Sequence, residues 1–155
     1  LETWNLPRRF EYAKMYREAL GKLEGVKSLP VDTEERQCAY WWFPIILDLD
    51  KLDIDAPAFL KEMAGMGIPC YGIQWPEAYE EKAYKELGGF GSHKFPFCSK
   101  EYTREGLTYE GVVCPVAKSL RARTVNLFLH RTWEKEHIQR DIDAFTTVHN
   151  AHLKK

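Results

Sequence analysis

Residues 112–138 read VVCPVAKSLRARTVNLFLHRTWEKEHI, and this stretch limits the fold more than any other. Pro115 has no N–H and a fixed φ, so it suits the first turn of a helix and disfavours any later position. The run from Pro115 to about Ala122 is read as a helix that starts there. Val125 to Leu129 is apolar and too short for a core helix, so it is read as a strand. From Thr132 to about His149, Ile138, Ile142, Phe145 and Val148 recur at helical spacing. Thr132 is the expected cap of that helix, with Glu134 and Glu136 in its first turn. A helix, a strand and a helix with almost no linker must fold back on one another. The strand should therefore pack against both terminal helices, with Leu127 buried.

The upstream residues supply the rest of one sheet. In WNLPRRFEYAKMYREALGKLEG, Phe10, Ala13, Tyr16, Leu20 and Leu23 mark a helix over about 6–23, capped by Asn5 and ended by Gly25. Residues 26–37 read as a polar connection. CAYWWFPIILDLD is rich in aromatic and β-branched residues and reads as a strand, in which Pro44 implies an edge position or a bulge. Asp55-Ala56-Pro57 starts a helix carrying Phe59, Leu60, Met63 and Met66, which ends at Gly65 or Gly67. IPCYGI reads as another strand, so strand, helix and strand form an α/β unit. PEAYEEKAYKEL reads as a short helix. The long loop GGFGSHKFPFCSKEYTREGLTYEG, with its aromatic residues, reads as functional or interface-forming. The class is α+β, with three strands expected in one sheet.

Bulk properties narrow the function. At 155 residues the chain suffices for one domain with a sizeable core. A formal net charge of −1 gives no reason to expect a nucleic-acid partner. The longest apolar run, near YWWFPIIL, falls far short of the roughly 20 residues of a membrane helix. Cys38, Cys70, Cys98 and Cys114 have no CxxC or zinc-site spacing, and LETWNLPRRF does not resemble a signal peptide. Four reduced thiols in a cytoplasmic protein are expected. A helix signal close behind Leu1 suits either a piece of a longer chain or a complete small domain.

The chain carries no GxSxG, P-loop, HExxH or strand-following GxGxxG motif. Its GGFGS at 88–92 fits either a flexible loop or a phosphate cradle. His130 and Arg131, close to Arg121 and Arg123, either meet an anion or turn the chain into the last helix. Cys114, ahead of a helix, has no base near it in sequence. Gln74, Trp75 and Tyr79 follow a strand end directly, where small-molecule or partner contacts often sit. These three are the candidate substrate-binding residues. No catalytic, cofactor-binding or metal-binding residue is assigned.

Several stretches resemble the C-terminal small domain of the DegT/DnrJ/StrS family, the pyridoxal-phosphate (PLP) sugar aminotransferases. Arg8, Arg9, Ala13 (shifted by one), Tyr16 and Leu20 approximate its opening helix, R-R-x-x-A-x-x-Y-x-x-x-L. Tyr40 to Ile45, YWWFPI, resembles its aromatic strand, and Gly67-Ile68-Pro69 its GI-P strand. CPVAKSLRARTVNLFLHRTWEKEHI resembles its ending and is the most specific piece. The chain departs from the family where YGIQWPEAY replaces an H-x-Q-P loop and lacks its His.

The resemblance implies the small domain of a fold type I aminotransferase, α+β and sandwich-like, with three to four mostly antiparallel strands packed against helices. It implies that residues 1–155 are one domain of a longer enzyme whose N-terminal domain holds PLP and the Schiff-base lysine. That enzyme would be a homodimer moving an amino group from glutamate or glutamine to a keto-sugar or keto-cyclitol, for cell-surface polysaccharide or secondary-metabolite synthesis. This piece would supply a wall of the site and dimer contacts, and would be no enzyme by itself. The alternative is a stand-alone, non-catalytic binding or oligomerisation module of the same fold.

Overall fold

A computed structural model describes residues 3–99, 101 and 107–155. In chain order the elements are α1 (Asn5–Leu20), β1 (Val26–Ser28), β2 (Trp42–Leu47), α2 (Ala56–Gly65), β3 (Cys70–Tyr71), α3 (Lys82–Lys85), α4 (Pro115–Arg123), β4 (Thr124–Phe128) and α5 (Lys135–Ala151). The chain divides into two compact units, one of residues 1–73 with 120–155 and one of residues 74–119.

The first unit is an α+β layer. Its sheet has the order β1-β2-β4-β3 with every neighbouring pair antiparallel. Since β2 and β3 both run against β4, they are parallel to each other, and β4 lies between them. The α/β unit read from the sequence is therefore a split one, its crossover helix α2 reaching past the inserted strand. Period-two alternation puts Phe43, Ile45 and Leu47 on one face, opposite Val125 and Leu127 of β4. These five are 0% exposed and join Tyr16 and Leu20 of α1, Phe59 and Met63 of α2, and Ile138 and Phe145 of α5 in one core. The expected packing of the VNLFL strand against the terminal helices is thus met, and Leu127 is buried as expected.

Helix starts follow the local chemistry in part. Asp55 caps α2, its Oδ1 accepting from the Ala58 N–H at 2.9 Å, with proline in the first turn. Gly67 follows α2 at φ +76°, the left-handed position that favours glycine. The cap of α5 is not Thr132 but Glu134, which forms a reciprocal capping box with His137. Thr132 instead pairs its hydroxyl with His130 Nδ1 at 2.7 Å. Helix α1 ends at Leu20, short of the expected Leu23, and Asn5 lies inside it, its Oδ1 accepting from Arg9 Nε at 2.8 Å. Gly25 takes φ +88° in the turn into β1, where a Cβ would come within 3.0 Å of Leu52.

Strand β1 lies within the stretch whose polar composition predicts a connection. It is three residues long, with Lys27 and Ser28 exposed and an irregular register, so it carries no alternating pattern. Pro44 sits in a strand with neighbours on both sides, yet β1 reaches only Ile46 and Leu47. At Pro44 the β1 side of β2 is locally an edge, so the missing donor breaks no ladder there.

The junction from β4 to α5 is fixed by α1. Arg8 Nη1 donates to the carbonyl oxygens of Arg131 at 3.2 Å and Trp133 at 3.3 Å, and to Glu134 Oε1 at 3.3 Å. The Tyr12 hydroxyl also donates to the Trp133 carbonyl. The guanidinium groups of Arg8 and Arg131 lie 5.8 and 5.6 Å from the Trp4 ring. His130 stacks on Phe128 at 5.9 Å. Of the alternatives for His130 and Arg131, the helix-entry turn matches these contacts.

In the second unit the predicted PEAYEEKAYKEL helix is broken. A 3-10 turn over Ala78–Glu80 and the short α3 are separated by Glu81 in extended conformation. Tyr84, Phe97 and Tyr109 pack edge to face, with centroids 5.3 to 6.5 Å apart. Phe90 and Phe95 close a tight hairpin with backbone hydrogen bonds of 2.8 and 3.0 Å. A Cβ at Gly89 would stand 2.3 Å from the Lys94 carbonyl oxygen, so the glycine is required by close approach of the backbone. GGFGS therefore opens a hairpin. Residues 100 and 102–106 of the predicted 88–111 loop lie outside the described residues.

Candidate functional site

The three candidate residues Gln74, Trp75 and Tyr79 all belong to the second unit. Gln74 and Trp75 are exposed, Trp75 at 66%. Tyr79 sits in the 3-10 turn, and its phenol oxygen accepts from the Cys114 N–H at 3.1 Å. That bond ties the turn to the residue before α4. Glu80 extends the tie, pairing with Lys118 Nζ at 3.2 Å, and this hydrogen bond raises the Lys118 pKa.

Tyr79 lines an open cavity of about 390 Å³ with Glu80, Lys85, Thr108, Tyr109, Glu110, Gly111 and Val112. The lining residues carry two phenol rings, a hydroxyl, two carboxylates and an ammonium. That set suits a polar ligand with an apolar face. Gln74 and Trp75 do not line it. Lys85, Thr108 and Tyr109 were missed from sequence because no motif links α3 to the residues after a long loop. The Thr108-Tyr109 pair ahead of Gly111 at φ +75° was the available signal.

The first unit offers a second face. On the side of the sheet away from the core, Trp42 meets Tyr71 edge-on at 4.3 Å and Tyr71 meets Phe128 at 6.0 Å, while Trp133, which packs against the core, lies 5.8 Å from Phe128. Their positions follow from register, since Trp42 pairs with Phe128, and Tyr71 with Asn126. Asn126 Nδ2 donates to the Tyr71 carbonyl at 3.0 Å and holds the end of β3 to β4.

PLP chemistry needs a lysine amine that is shielded and able to lose its proton. Every described lysine side chain belongs to an exposed residue. Hydrogen bonds donated to Glu24, Glu80 and Glu11 hold the pKa values of Lys51, Lys118 and Lys135 above the usual lysine range, the reverse of what a Schiff base requires. Among the described residues no lysine fits the cofactor, and no step of transamination is assigned to them. Among the described residues no cluster of His, Cys, Asp and Glu is arranged to hold a metal, and no helix is long and apolar enough to cross a membrane. The four cysteines are free thiols, and burial pushes the Cys70 pKa up to about 11.

No family model matches the chain. Over 98 residues, 63% of this chain and 25% of the relative, it is 26% identical to an uncharacterized protein of Methanocaldococcus jannaschii. Three solved structures are similar over nearly its whole length. An aminotransferase from Psychrobacter cryohalolentis is 22% identical with a TM-score of 0.68, covering 96% of this chain and 35% of its own. A protein assigned as a sugar aminotransferase from Streptococcus pneumoniae, in its PMP form, is 20% identical with a TM-score of 0.66, covering 95% and 31%. A DegT DnrJ EryC1 StrS aminotransferase from Brucella abortus is 19% identical with a TM-score of 0.60, covering 94% and 31%. This chain thus has the fold of about one third of an aminotransferase of that kind, the class of enzyme its sequence motifs resemble.

Proposed function

We propose that residues 1–155 are the C-terminal small domain of a PLP-dependent aminotransferase that transfers an amino group from glutamate or glutamine to a keto-sugar or keto-cyclitol. The observation that carries this reading is the match of 94 to 96% of the chain to 31 to 35% of aminotransferase chains. In this reading PLP and its lysine belong to an N-terminal domain, the enzyme is a cytoplasmic homodimer, and its product enters cell-surface polysaccharide or secondary-metabolite synthesis. The cofactor supplies the electronic chemistry, and this chain contributes a wall of the site. Gln74 and Trp75, exposed beyond the end of β3, would contact the substrate. Tyr79 would hold the neighbouring turn through the Cys114 N–H. Exposed apolar side chains on Trp75, Val113 and Val116, at 66%, 60% and 71%, support a surface built for cover.

The test compares this chain alone with the chain joined to a PLP-binding N-terminal domain. The chain alone should give no transamination and no aldimine absorbance after dialysis. In the joined enzyme, Trp75→Ala should lower kcat/KM about tenfold, the kinetic equivalent of roughly 1.4 kcal/mol. An aldimine band on a lysine of this chain alone would refute the reading. Unchanged kcat/KM in Trp75→Ala would remove Trp75 from the site. A joined protein that binds no PLP, beside a chain that self-associates, would favour the non-catalytic module.

A further inference from the structure

At the C-terminal end of α5 a histidine lies between two carboxylates, and none of the three belongs to the candidate site. His152 is the residue after the last turn of α5. Its Nδ1 lies 2.8 Å from Asp53 Oδ1, and its Nε2 lies 2.9 Å from Glu62 Oε1. Asp53 belongs to the loop before α2, and Glu62 to α2 itself. A carboxylate oxygen accepts and does not donate, so each ring nitrogen must carry a hydrogen to make both bonds. Only the imidazolium does so. The neutral ring has one N–H and would turn a lone pair toward the other carboxylate.

Backbone pairing lies beside this clasp. The Asp53 N–H donates to the His152 carbonyl at 3.0 Å, and the Lys154 N–H donates to the Lys51 carbonyl at 2.9 Å. Leu153 bridges to Leu52, which is 2% exposed in the core. The tail therefore closes a short ladder on the loop that feeds α2.

We propose that His152 is a proton-operated clasp, holding the C-terminal tail on α2 and the 49–53 loop when charged and releasing it when neutral. Lys51 of the loop and Lys154 of the tail have separate partners. Lys51 pairs with Glu24 at 3.0 Å. Lys154 Nζ donates to the carbonyls of Leu49 at 2.9 Å and Asp50 at 3.3 Å. On α5, His149 faces the Glu24 carbonyl and Asn150. The helix C-terminus adds a favourable partial negative charge for a cation at this position. The hydrogen bond to Asp53, followed by that to Glu62, outweighs desolvation and raises the His152 pKa above the ordinary histidine value. A raised folded pKa fixes the sign. The stabilisation is complete below the unfolded value of His152 and is lost as pH rises through its folded value.

The test is a histidine-ring nitrogen NMR titration of the ¹⁵N-labelled chain from about pH 5 to about pH 9, the range in which histidines titrate. The expected result is a His152 ring protonated on both nitrogens at neutral pH, with a midpoint above that of an ordinary histidine. Asp53→Asn and Glu62→Gln should each shift that midpoint down. The Asp53 and Lys154 amides should lose exchange protection, after correction for intrinsic rates, as His152 deprotonates. In His152→Gln their protection should no longer follow this pH step. A single neutral tautomer at neutral pH, a midpoint at or below the ordinary value, or protection that ignores the titration overturns the proposal. The wild-type titration decides the matter even if a variant fails to fold.

Discussion

Leu127→Ala should destabilise the chain by about 2–5 kcal/mol, the range for truncating a fully buried leucine. Leu127 sits in β4, opposite Phe43 on one side and Cys70 on the other, and is 0% exposed. Its neighbours are strands on both sides and helices above, so the site has little freedom to collapse around a cavity. A domain of this size unfolds at a total cost of about 5–15 kcal/mol, so the change removes a large share of it. Each kcal/mol should lower Tm by roughly 2–4 °C. Urea denaturation followed by circular dichroism measures the loss. Leu120→Ala, at a 36% exposed position of α4, is the control and should stay within about 0.5 kcal/mol. A Leu127→Ala cost as small as the control's would mean that β4 is not central.

The second large effect lies in the buried polar bond between the terminal helices. The Tyr16 hydroxyl donates to Asp141 Oδ2 at 2.8 Å, and both residues are 0% exposed. Arg140 Nη2 reaches the other carboxylate oxygen at 3.5 Å. Burial raises the Asp141 pKa, and the Tyr16 bond and Arg140 offset part of that rise. Burial and the adjoining carboxylate push the Tyr16 phenol well above its usual value, so it remains a donor. Tyr16→Phe leaves a buried carboxylate without its neutral donor and should cost about 1–3 kcal/mol.

The pH dependence of this pair has a definite sign. Because the folded pKa of Asp141 is raised, its favourable contribution is present below the unfolded carboxyl value and declines as pH rises through the folded one. Relative to Asp141→Asn, the wild type should lose stability across that interval, and Tyr16→Phe should lose more. Urea midpoints measured for all three chains through the carboxyl range provide the check. A difference between wild type and Asp141→Asn that is flat with pH would show that the carboxylate ionises in place without penalty.

How much of this was legible beforehand depended on whether the signal was local. Pro115 and Gly67 act through their own backbone geometry and Asp55 through a carboxylate that reaches only three residues on, and each marks a helix end close to where the sequence places it. The apolar spacing of Tyr16, Leu20, Ile138 and Phe145 reports one face of a helix, and those residues meet in the core. The Thr132 cap failed because Thr and Glu both offer an oxygen to a helix start. The choice fell to Glu134, whose neighbouring turn α1 holds through Arg8 and Tyr12.

The candidate site was less legible. Gln74 and Trp75 stood out because they follow a strand, and Tyr79 because it is an aromatic residue nearby. The cavity beside Tyr79 needs Lys85 and Tyr109, separated in sequence by a loop whose course no periodicity encodes. The split order of the sheet was likewise hidden. Nothing in YWWFPIIL or IPCYGI says that a strand some fifty residues further on will enter between them.

The sequence alone therefore determined the starts of α2 and α4, the apolar faces and the α+β class, because these rest on local capping chemistry, backbone restrictions and side-chain periods within a few residues. The tertiary structure alone decided the strand order, the Glu134 cap, the cavity wall and the His152 clasp. Each of those depends on groups that chain distance separates and packing brings within bonding range. His152 lies 99 residues from Asp53 along the chain and 2.8 Å from it in space.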